Sequence, residues 1–305
     1  MDKPKVTVIC YAYNHASCIR DALEGFVRQK TSFPVEVIVH DDASSDGTAA
    51  IIREYAGRYP DLLRPVFQTE NQHAKGVAIG PAFCFPLVRG DYVALCEGDD
   101  YWTDPSKLQR QVDAMEAHPE VDICAHCTRK TKGGKPDGFV AARLRDGVIP
   151  AGDAVKGLPI ATASLLCRSA VYLQTSPMRE VRFNDLALLL QGISRGGLLY
   201  LSRCMAVYRY QHPGSWSAAH RGMQRLEADQ TERQILQAFD RWSGGRYHRS
   251  VSWRLSKSES SSLLTRGRVL DFLSPRRFPL LVSRLGRTLR RRFNSFYCSL
   301  RWTSM

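Results

Sequence analysis

The sequence predicts an α/β protein with a mostly parallel sheet that helices cover on both faces. Short apolar runs rich in β-branched residues alternate with stretches whose apolar side chains recur every three or four residues. Clusters of Asp, Asn and Tyr directly follow several of these runs. Such an alternation favours parallel strands, and ligands of parallel sheets bind outside the carboxyl ends of the strands.

The amino-terminal half contains the clearest elements. Strands are predicted over Val6–Cys10, Val35–His40 and Leu63–Phe67. Between them, helices are predicted over Cys18–Gln29 and Thr48–Tyr59, because apolar side chains recur there at helical spacing.

The later elements follow from the same patterns. A strand begins at Asp91, and Asp104 caps a helix that runs to about His118. The remaining predictions are strands over Val121–Cys127, Ile160–Cys167 and Leu198–Tyr210, a loop over Gly133–Gly138, and a helix from Asp185 to about Arg195.

Composition indicates a soluble protein with reduced cysteines. The nine cysteines are an odd number and lie mostly in apolar segments, so no disulfide framework is expected. Cys124, His126 and Cys127 form a CxxC pattern, but no second ligand pair follows at zinc-site spacing.

No apolar run reaches the roughly 20 residues of a membrane span, and no signal peptide precedes the first strand, so we expect a cytoplasmic location.

The charge of the chain is unevenly distributed. Residues 1–217 hold 25 Lys and Arg against 24 Asp and Glu, a net charge of +1, whereas residues 218–305 hold 18 against 6, a net charge of +12. We therefore predict a catalytic or binding domain over 1–217 and a basic, mainly helical extension over 218–305 that is attracted to an anionic surface.

Two segments of the extension have different patterns. Gln224–Phe239 has sparse apolar positions and is predicted to be a solvated helix. From Phe278 to Phe296, apolar residues recur every three or four positions among five arginines between Arg284 and Arg292, which is typical of a helix lying on an anionic membrane. Packing of this stripe on the first domain is the alternative. Nucleic-acid binding is not expected, because no nucleic-acid module accompanies the segment.

Three carboxylates crowd the end of one predicted strand. Glu97, Asp99 and Asp100 directly follow the apolar run Tyr92–Leu95. Like charges this close raise one another's pKa unless a cation neutralises them, and carboxylate oxygens suit Mg²⁺ or Mn²⁺. A simple polar turn that closes the strand is the alternative interpretation.

Four separated segments resemble one known family. They are VTVICYAYN at 6–14, VIVHDDASSDGT at 37–48, GDYVALCEGDDYWTDPSKLQRQVD at 90–113, and FNDLALLL with MAVYRYQHPGSWS between 183 and 217. Together they resemble the family 2 glycosyltransferases of the GT-A fold, particularly bacterial members that build surface polysaccharides or glycolipids. The resemblance covers residues 5–217. The QxxRW motif of processive synthases is absent from the sequence.

The resemblance implies a set of donor-binding residues. Asp42 would accept a hydrogen bond from the uracil ring of a UDP-sugar. The other residues implied in nucleotide-sugar binding are Tyr11, Tyr13, Asn14, Asn71, Lys75, Gly76 and Asp99. Packing beneath the sheet edge is the alternative for the tyrosines, and a plain surface position is the alternative for Lys75. An Asx-turn and a helix cap are the alternative for Asp41, Ser44, Asp46 and Thr48, and they are favoured for Ser44 to Thr48.

The same resemblance implies the metal site and the base. Asp99 and Asp100, with His212, would hold Mn²⁺ or Mg²⁺ against the diphosphate, while the alternative for His212 is a structural hydrogen bond. Asp185 would be the catalytic base, and its alternative is an N-cap without chemistry. Tyr101 and Trp102 would line the sugar pocket or anchor the loop.

These residues lead to one expected function and two alternatives. The expected function is inverting, metal-dependent transfer of a single sugar from a nucleotide diphosphate sugar, with UDP preferred, to a hydroxyl of a lipid-linked glycan or polysaccharide precursor. The enzyme would work as a peripheral protein at the inner face of the cell membrane. The alternatives are a sugar nucleotidyltransferase and a non-catalytic, nucleotide-binding, membrane-docked scaffold.

Overall fold

The computed structural model describes residues 2–179, 184–211 and 224–265. The chain divides into two compact units, Met1–Tyr247 and His248–Met305. Within the described residues, no helix is both long and apolar enough to cross a membrane.

Four parallel strands form the first part of a ten-stranded sheet. They are β1 (Val6–Ala12), β2 (Val35–Asp41), β3 (Leu63–Phe67) and β4 (Tyr92–Leu95), in the spatial order β3-β2-β1-β4. Most residues of β1, β2 and β4 are buried, as expected where helices cover both faces of a sheet. The predicted strands of this half are confirmed with bounds that differ by two residues at most.

The second part of the sheet adds short antiparallel strands around two long parallel ones. Its strands are β5 (Tyr101–Trp102), β6 (Ile123–Lys132), β7 (Lys135–Val140), β8 (Gly147–Ile149), β9 (Leu166–Arg168) and β10 (Leu198–Tyr210). The order continues from β4 as β9-β6-β10-β5. Because β9 is antiparallel to both β4 and β6, the long strands β6 and β10 run in the direction of β4. All the parallel strands therefore end at one edge of the sheet.

Helices flank this sheet in the first unit. They are α1 (Ile19–Val27), α2 (Thr48–Arg58), α3 (Lys107–Ala117), α4 (Ala151–Val155), α5 (Ser169–Leu173), α6 (Asn184–Ile193) and α7 (Gln224–Trp242). The second unit contains α8 (His248–Thr265). Helix α1 buries Ile19 and Leu23 completely. A Cβ at Gly25 would lie 3.0 Å from the backbone of Trp102, so this glycine lets α1 approach β5 closely. The predicted α/β class is confirmed.

Two predictions between β6 and β9 are wrong. The predicted loop over Gly133–Gly138 is mostly strand: Gly133 and Gly134 have positive φ angles and form the turn of a hairpin between β6 and β7. The predicted strand over Ile160–Cys167 is mostly a turn, because residues 162–164 form a 3₁₀ helix and only Leu166–Arg168 pairs with neighbouring strands. Strand β7 pairs with the adjacent strand β6 across the two-residue Gly133–Gly134 turn, whereas β9 is defined by pairing with the distant strands β4 and β6.

The prediction of a solvated helix after residue 223 is also wrong. Helix α7 buries Ile235, Leu236 and Phe239 completely. Phe239 stacks on Tyr247 at 5.5 Å between ring centres, and the Tyr247 hydroxyl donates to the carbonyl oxygen of Ser194. These few apolar positions therefore form a packing face.

The predicted boundary between 217 and 218 and the predicted membrane helix lie outside the described residues. The boundary falls within 212–223, and the apolar and arginine positions of the tail fall within 266–305. Both stay predictions.

The cysteines of the described segments are free thiols, as predicted. Seven of the eight are buried. Within the CxxC pattern, Nδ1 of His126 lies 2.7 Å from the carbonyl oxygen of Cys127, and burial lowers the pKa of His126 to about 3. This buried pattern is part of strand β6.

Candidate active site

The residues Glu97–Asp100, which we call the acid loop, follow strand β4 at the carboxyl edge of the sheet. The backbone N–H of Gly98 donates to the carbonyl oxygen of Tyr11 at 2.8 Å, which joins the acid loop to the end of β1. A Cβ at position 98 would lie 2.6 Å from Ile19 and 2.8 Å from His15. Glycine is therefore needed for the loop to approach α1 this closely.

The acid loop concentrates negative charge in a largely buried place. Burial and the charge of Asp99 raise the pKa of Asp100 well above its ordinary value, although Arg209 opposes this shift. Burial and the charges of Asp100, Asp99 and Asp185 raise the pKa of Glu97 in the same way. A bound cation would relieve this repulsion.

The charge of Asp185, which is far from the acid loop in the sequence, contributes to the raised pKa of Glu97. Helix α6 begins at Asn184, so Asp185 occupies its first turn, where its Oδ1 accepts the N–H of Leu186 at 2.8 Å. Asp185 is exposed to solvent, and desolvation raises the pKa of its carboxyl group. Its role as the base stays a prediction.

The acid loop presents oxygen atoms that suit a hard divalent cation. Asp100 Oδ1 accepts the N–H of Arg209 at 2.8 Å, and among the described residues no hydrogen bond reaches the carboxylate of Asp99. No group of three His, Cys, Asp or Glu side chains capable of holding a metal occurs in the segments described. Mg²⁺ commonly binds one or two carboxylates together with substrate phosphates and water, so Asp99 and Asp100 fit such a site. His212 lies outside the described residues.

Asp42 fastens a second loop to the same edge. It follows β2, is buried, and donates its own N–H to the carbonyl oxygen of Ala12 at 3.0 Å. Its carboxylate oxygens accept the backbone N–H groups of Gln72 at 2.8 Å and of His73 at 3.0 Å. The sequence patterns did not indicate these contacts. Each carboxylate oxygen can accept more than one hydrogen bond, so the uracil role of Asp42 stays a prediction.

The two tyrosines after β1 differ in environment. The hydroxyl of Tyr11 lies 2.8 Å from that of Tyr172, and the Tyr11 ring meets His40 edge-on, while its role in donor binding stays a prediction. Tyr13 is 45% exposed and is the tyrosine of the pair that is available for stacking on a base.

Of four further residues implied in donor binding, Asn14 contacts the loop after β2, while Asn71 and Lys75 contact residues of their own loop. Asn14 adopts a positive φ and accepts the N–H of Ser45 at 2.9 Å, while Asn71 accepts the N–H of Ala74 at 2.6 Å. Lys75 pairs with Glu70, and Gly76 has a φ of 77°. These residues follow β1 and β3 at the carboxyl edge, and their ligand roles stay predictions.

The predicted Asx-turn before α2 is confirmed, whereas the predicted side-chain cap is wrong, because the N-cap of α2 is Gly47 and makes no side-chain capping bond. Asp41 accepts the hydroxyl of Ser44 at 2.5 Å, and Asp46 accepts both the N–H and the hydroxyl of Thr48 at the start of α2.

The aromatic residues after the acid loop anchor it to the core. Trp102 is buried and its indole N–H donates to the carbonyl oxygen of Ala163 at 2.9 Å. The guanidinium of Arg209 lies 4.4 Å from the centre of the Tyr101 ring. Arg209 was not among the predicted site residues, because only the pairing of β10 with β5 brings it to this loop.

Relatives are similar to different lengths of this chain, from 36% to 70% of it in the two proteins described next. The uncharacterized protein Rv1520 of Mycobacterium tuberculosis is 38% identical over 70% of this chain, which spans 61% of the length of that relative. The Escherichia coli protein WfaP, a UDP-Glc:alpha-D-GlcNAc-diphosphoundecaprenol beta-1,3-glucosyltransferase, is 30% identical over 36% of this chain and 41% of its own.

Solved structures share the fold at low sequence identity. S. aureus TarS 1-349 in complex with UDP-GlcNAc has a TM-score of 0.57 at 17% identity and matches 77% of this chain and 66% of its own. The mannosyltransferase PcManGT from Pyrobaculum calidifontis, in complex with GDP-Man and Mn²⁺, has a TM-score of 0.57 at 20% identity. The match covers 97% of this chain and 84% of PcManGT. The fold is therefore GT-A, as the resemblance implied.

The family assignment rests on the part of the chain that contains β1 to β4, the acid loop and α3. The sequence model described as "Glycosyl transferase family 2" matches residues 7–161, slightly more than half of the chain. The chain belongs to glycosyl transferase family 2.

Proposed function

We propose that the protein is an inverting, metal-dependent glycosyltransferase that moves one sugar from a UDP-sugar to a hydroxyl of a lipid-linked glycan or polysaccharide precursor. The observation that carries this proposal is the convergence of two carboxylate-bearing loops on the end of β1, where Gly98 of the acid loop donates to the carbonyl oxygen of Tyr11 and Asp42 donates to that of Ala12. The exposed carboxylate of Asp185, whose charge contributes to the raised pKa of Glu97, would supply the base that sugar transfer also requires.

The donor would bind along the carboxyl edge of the sheet. Tyr13 stacks on the base, Asp42 accepts the uracil N–H, and Asp99 and Asp100 face the diphosphate. Mn²⁺ or Mg²⁺ held by these two aspartates would neutralise the negative charge that develops on the diphosphate. The backbone N–H of Arg209 in β10 donates to Asp100 Oδ1. This bond fixes one of the two carboxylate oxygens of Asp100.

Asp185 would act on the acceptor. Its carboxylate takes the proton of the acceptor hydroxyl as that oxygen forms a bond to the anomeric carbon. The bond from the anomeric carbon to the diphosphate oxygen breaks with its electron pair on the diphosphate. Attack from the side opposite the leaving group inverts the anomeric configuration.

The similar proteins support the substrate classes. TarS binds UDP-GlcNAc and PcManGT binds GDP-Man and Mn²⁺, so both hold nucleotide diphosphate sugars. The name of WfaP gives UDP-Glc as donor and a diphosphoundecaprenol-linked sugar as acceptor. We propose a UDP-sugar and a lipid-linked acceptor for this chain by this similarity. The net charge of +12 over residues 218–305 supports a peripheral position on the anionic inner face of the membrane.

The experiment is a panel of UDP- and GDP-sugars screened for thermal stabilisation of the full chain with and without Mn²⁺. A ligand that binds the folded state raises the melting temperature by mass action. We expect one UDP-sugar to stabilise the protein only when Mn²⁺ is present, and lipid-linked acceptors then to release UDP. Metal-independent stabilisation would contradict the proposed metal role. Binding without nucleotide release with any acceptor would favour the scaffold alternative.

A further inference from the structure

We propose that Arg209 is a positioning residue that fixes the acid loop for metal and diphosphate binding. This inference rests on the proposed function, because it assigns a task to Arg209 within the same site. Arg209 lies near the end of β10, beyond the residues of that strand that pair with β5.

Arg209 contacts the acid loop with both its backbone and its side chain. The backbone N–H donates to Asp100 Oδ1 at 2.8 Å. One terminal nitrogen of the guanidinium donates to the carbonyl oxygen of Asp99 at 2.9 Å, and the guanidinium lies 4.4 Å from the centre of the Tyr101 ring. Three consecutive residues therefore contact one arginine.

The other end of the guanidinium is fixed by α1. Its second terminal nitrogen forms an ion pair and hydrogen bond with Asp21. The Arg209 side chain is only 18% exposed, whereas that of Asp21 is 56% exposed. Asp21 thus holds the guanidinium from the solvent side, while Asp99 and Tyr101 hold it from the protein side.

This geometry needs the shape of arginine. A planar guanidinium can donate from two nitrogens in different directions and still stack on an aromatic ring, whereas a lysine ammonium is a compact point charge. The bond to Asp100 comes from the backbone and survives any substitution at position 209. Changing the side chain therefore removes the support of Asp99 and Tyr101 while leaving Asp100 anchored.

The expected consequence is a loss of metal affinity. Among the described residues no hydrogen bond reaches the carboxylate of Asp99, so its direction depends on the backbone that carries it, which Arg209 contacts at the Asp99 carbonyl oxygen. Residues that orient metal ligands typically contribute 10- to 100-fold to affinity or activity. We expect Arg209→Ala to weaken Mn²⁺ binding in the presence of UDP by about 10- to 100-fold, and Arg209→Lys to recover part of this loss.

The test measures Mn²⁺ binding to the full chain with saturating UDP, by calorimetry and by the electron paramagnetic resonance signal of free Mn²⁺. Asp21→Ala should cause a smaller loss, because it frees the guanidinium without removing it. Arg203→Ala is the matched control: it removes an arginine of the same strand that pairs with Asp104 and not with the acid loop. The control should bind Mn²⁺ like the wild type.

The outcomes separate this inference from the proposed function. Equal Mn²⁺ affinities for the wild type, Arg209→Ala and Arg209→Lys would overturn the inference while leaving the proposed function intact. A wild type that binds neither Mn²⁺ nor UDP would overturn the proposed function itself. If Arg209→Ala does not fold, the test uses Asp21→Ala and Arg209→Lys instead. Unchanged Mn²⁺ affinity in both variants would overturn the positioning role.

Discussion

Asp42 Oδ1 accepts the backbone N–H of Gln72 at 2.8 Å, a contact between residues 30 positions apart in the chain. Asp42 therefore has a structural task beside the proposed one of binding uracil. The two tasks are separable, because a loop contact affects stability in the absence of ligand whereas a uracil contact affects donor affinity.

Asp42→Asn should affect both quantities. Its amide presents an N–H group to one of the two backbone N–H groups, and an unsatisfied buried donor costs about 1–3 kcal/mol of stability. Urea unfolding without ligand measures this cost, and calorimetry with UDP measures affinity. If the variant loses stability but, under conditions where it is fully folded, binds UDP with unchanged affinity, the uracil role would be contradicted. Asp42 would then be a loop anchor.

Asp185→Asn should abolish sugar transfer and retain donor binding. The amide cannot accept the acceptor proton, and a general base typically contributes about 10²- to 10⁴-fold to the rate. Stopped assays of product formation, with UDP-sugar binding measured in parallel, would show whether transfer is lost while donor binding is retained. Unchanged turnover would refute Asp185 as the base.

The pH dependence of transfer should reflect the environment of Asp185. Desolvation raises the pKa of this carboxyl above its ordinary value of 3.8, and a base must be unprotonated to act. Activity should therefore decline on the acid side at a pH higher than an ordinary aspartate would give. A profile of kcat/KM against pH measures this decline on the acid side. The residual activity of Asp185→Asn should not show the decline.

Tyr13→Ala should weaken donor binding without loss of stability. Tyr13 is 45% exposed, and stacking of a base on an aromatic side chain is worth about 1–3 kcal/mol, so the donor KM should rise about tenfold. Tyr11→Phe is the matched control, because it removes only the hydroxyl contact with Tyr172. Equal donor KM values for Tyr13→Ala and the wild type would exclude stacking on this ring.

Lys107 provides a test of stability against pH. It is fully buried, its ammonium lies 4.0 Å from the centre of the Trp102 ring and 2.7 Å from Gln111 Oε1, and burial lowers its pKa from 10.5 to about 7. Above pH 7 the unfolded chain binds the proton more strongly than the folded chain. The free energy of unfolding should therefore rise with pH over this range, by at most about 1.4 kcal/mol per pH unit from this group.

Lys107→Met should remove this contribution. Urea unfolding of both proteins at about pH 7 and about pH 8.5 isolates the contribution of Lys107 to the pH dependence of the free energy of unfolding, because both proteins share the other titrating groups. We expect the difference in stability between wild type and variant to change in favour of the wild type as pH rises. An identical pH slope in both proteins would show that Lys107 stays charged in the folded state.

The basic tail should govern membrane attachment. Replacing Arg290, Arg291 and Arg292 with Glu removes three positive charges, each worth about 1 kcal/mol near an anionic surface, and adds three negative ones, so binding to phosphatidylglycerol vesicles should fall by at least about 100-fold. The same replacement of the exposed residues Lys132, Arg143 and Arg145 controls for net charge. Sedimentation with anionic and neutral vesicles measures the effect, and equal losses in both variants would argue against a specific role of the tail.

Much of the fold was predictable because its long elements satisfy local rules. The strands β1, β2 and β3 and the helices between them have apolar periods that match their final burial, and β10 was predicted with its observed bounds. Strand β9 was not predictable, because it exists through pairing with distant strands, whereas β7 was missed although Gly133–Gly134 is a local hairpin signal. Helix α7 was misjudged because three buried side chains are enough for a packing face.

The sequence by itself determined the α/β class, the family, and the presence of carboxylates at successive strand ends. Only the tertiary structure decided what surrounds those carboxylates: the backbone groups of Gln72 and His73 at Asp42, the packing of Tyr11, and the contacts of Arg209 with the acid loop. The physical reason is that strand periodicity is a local property, whereas a hydrogen bond between residues 100 or more apart, such as that from Arg209 to Asp100, depends on how the sheet brings two strand ends together.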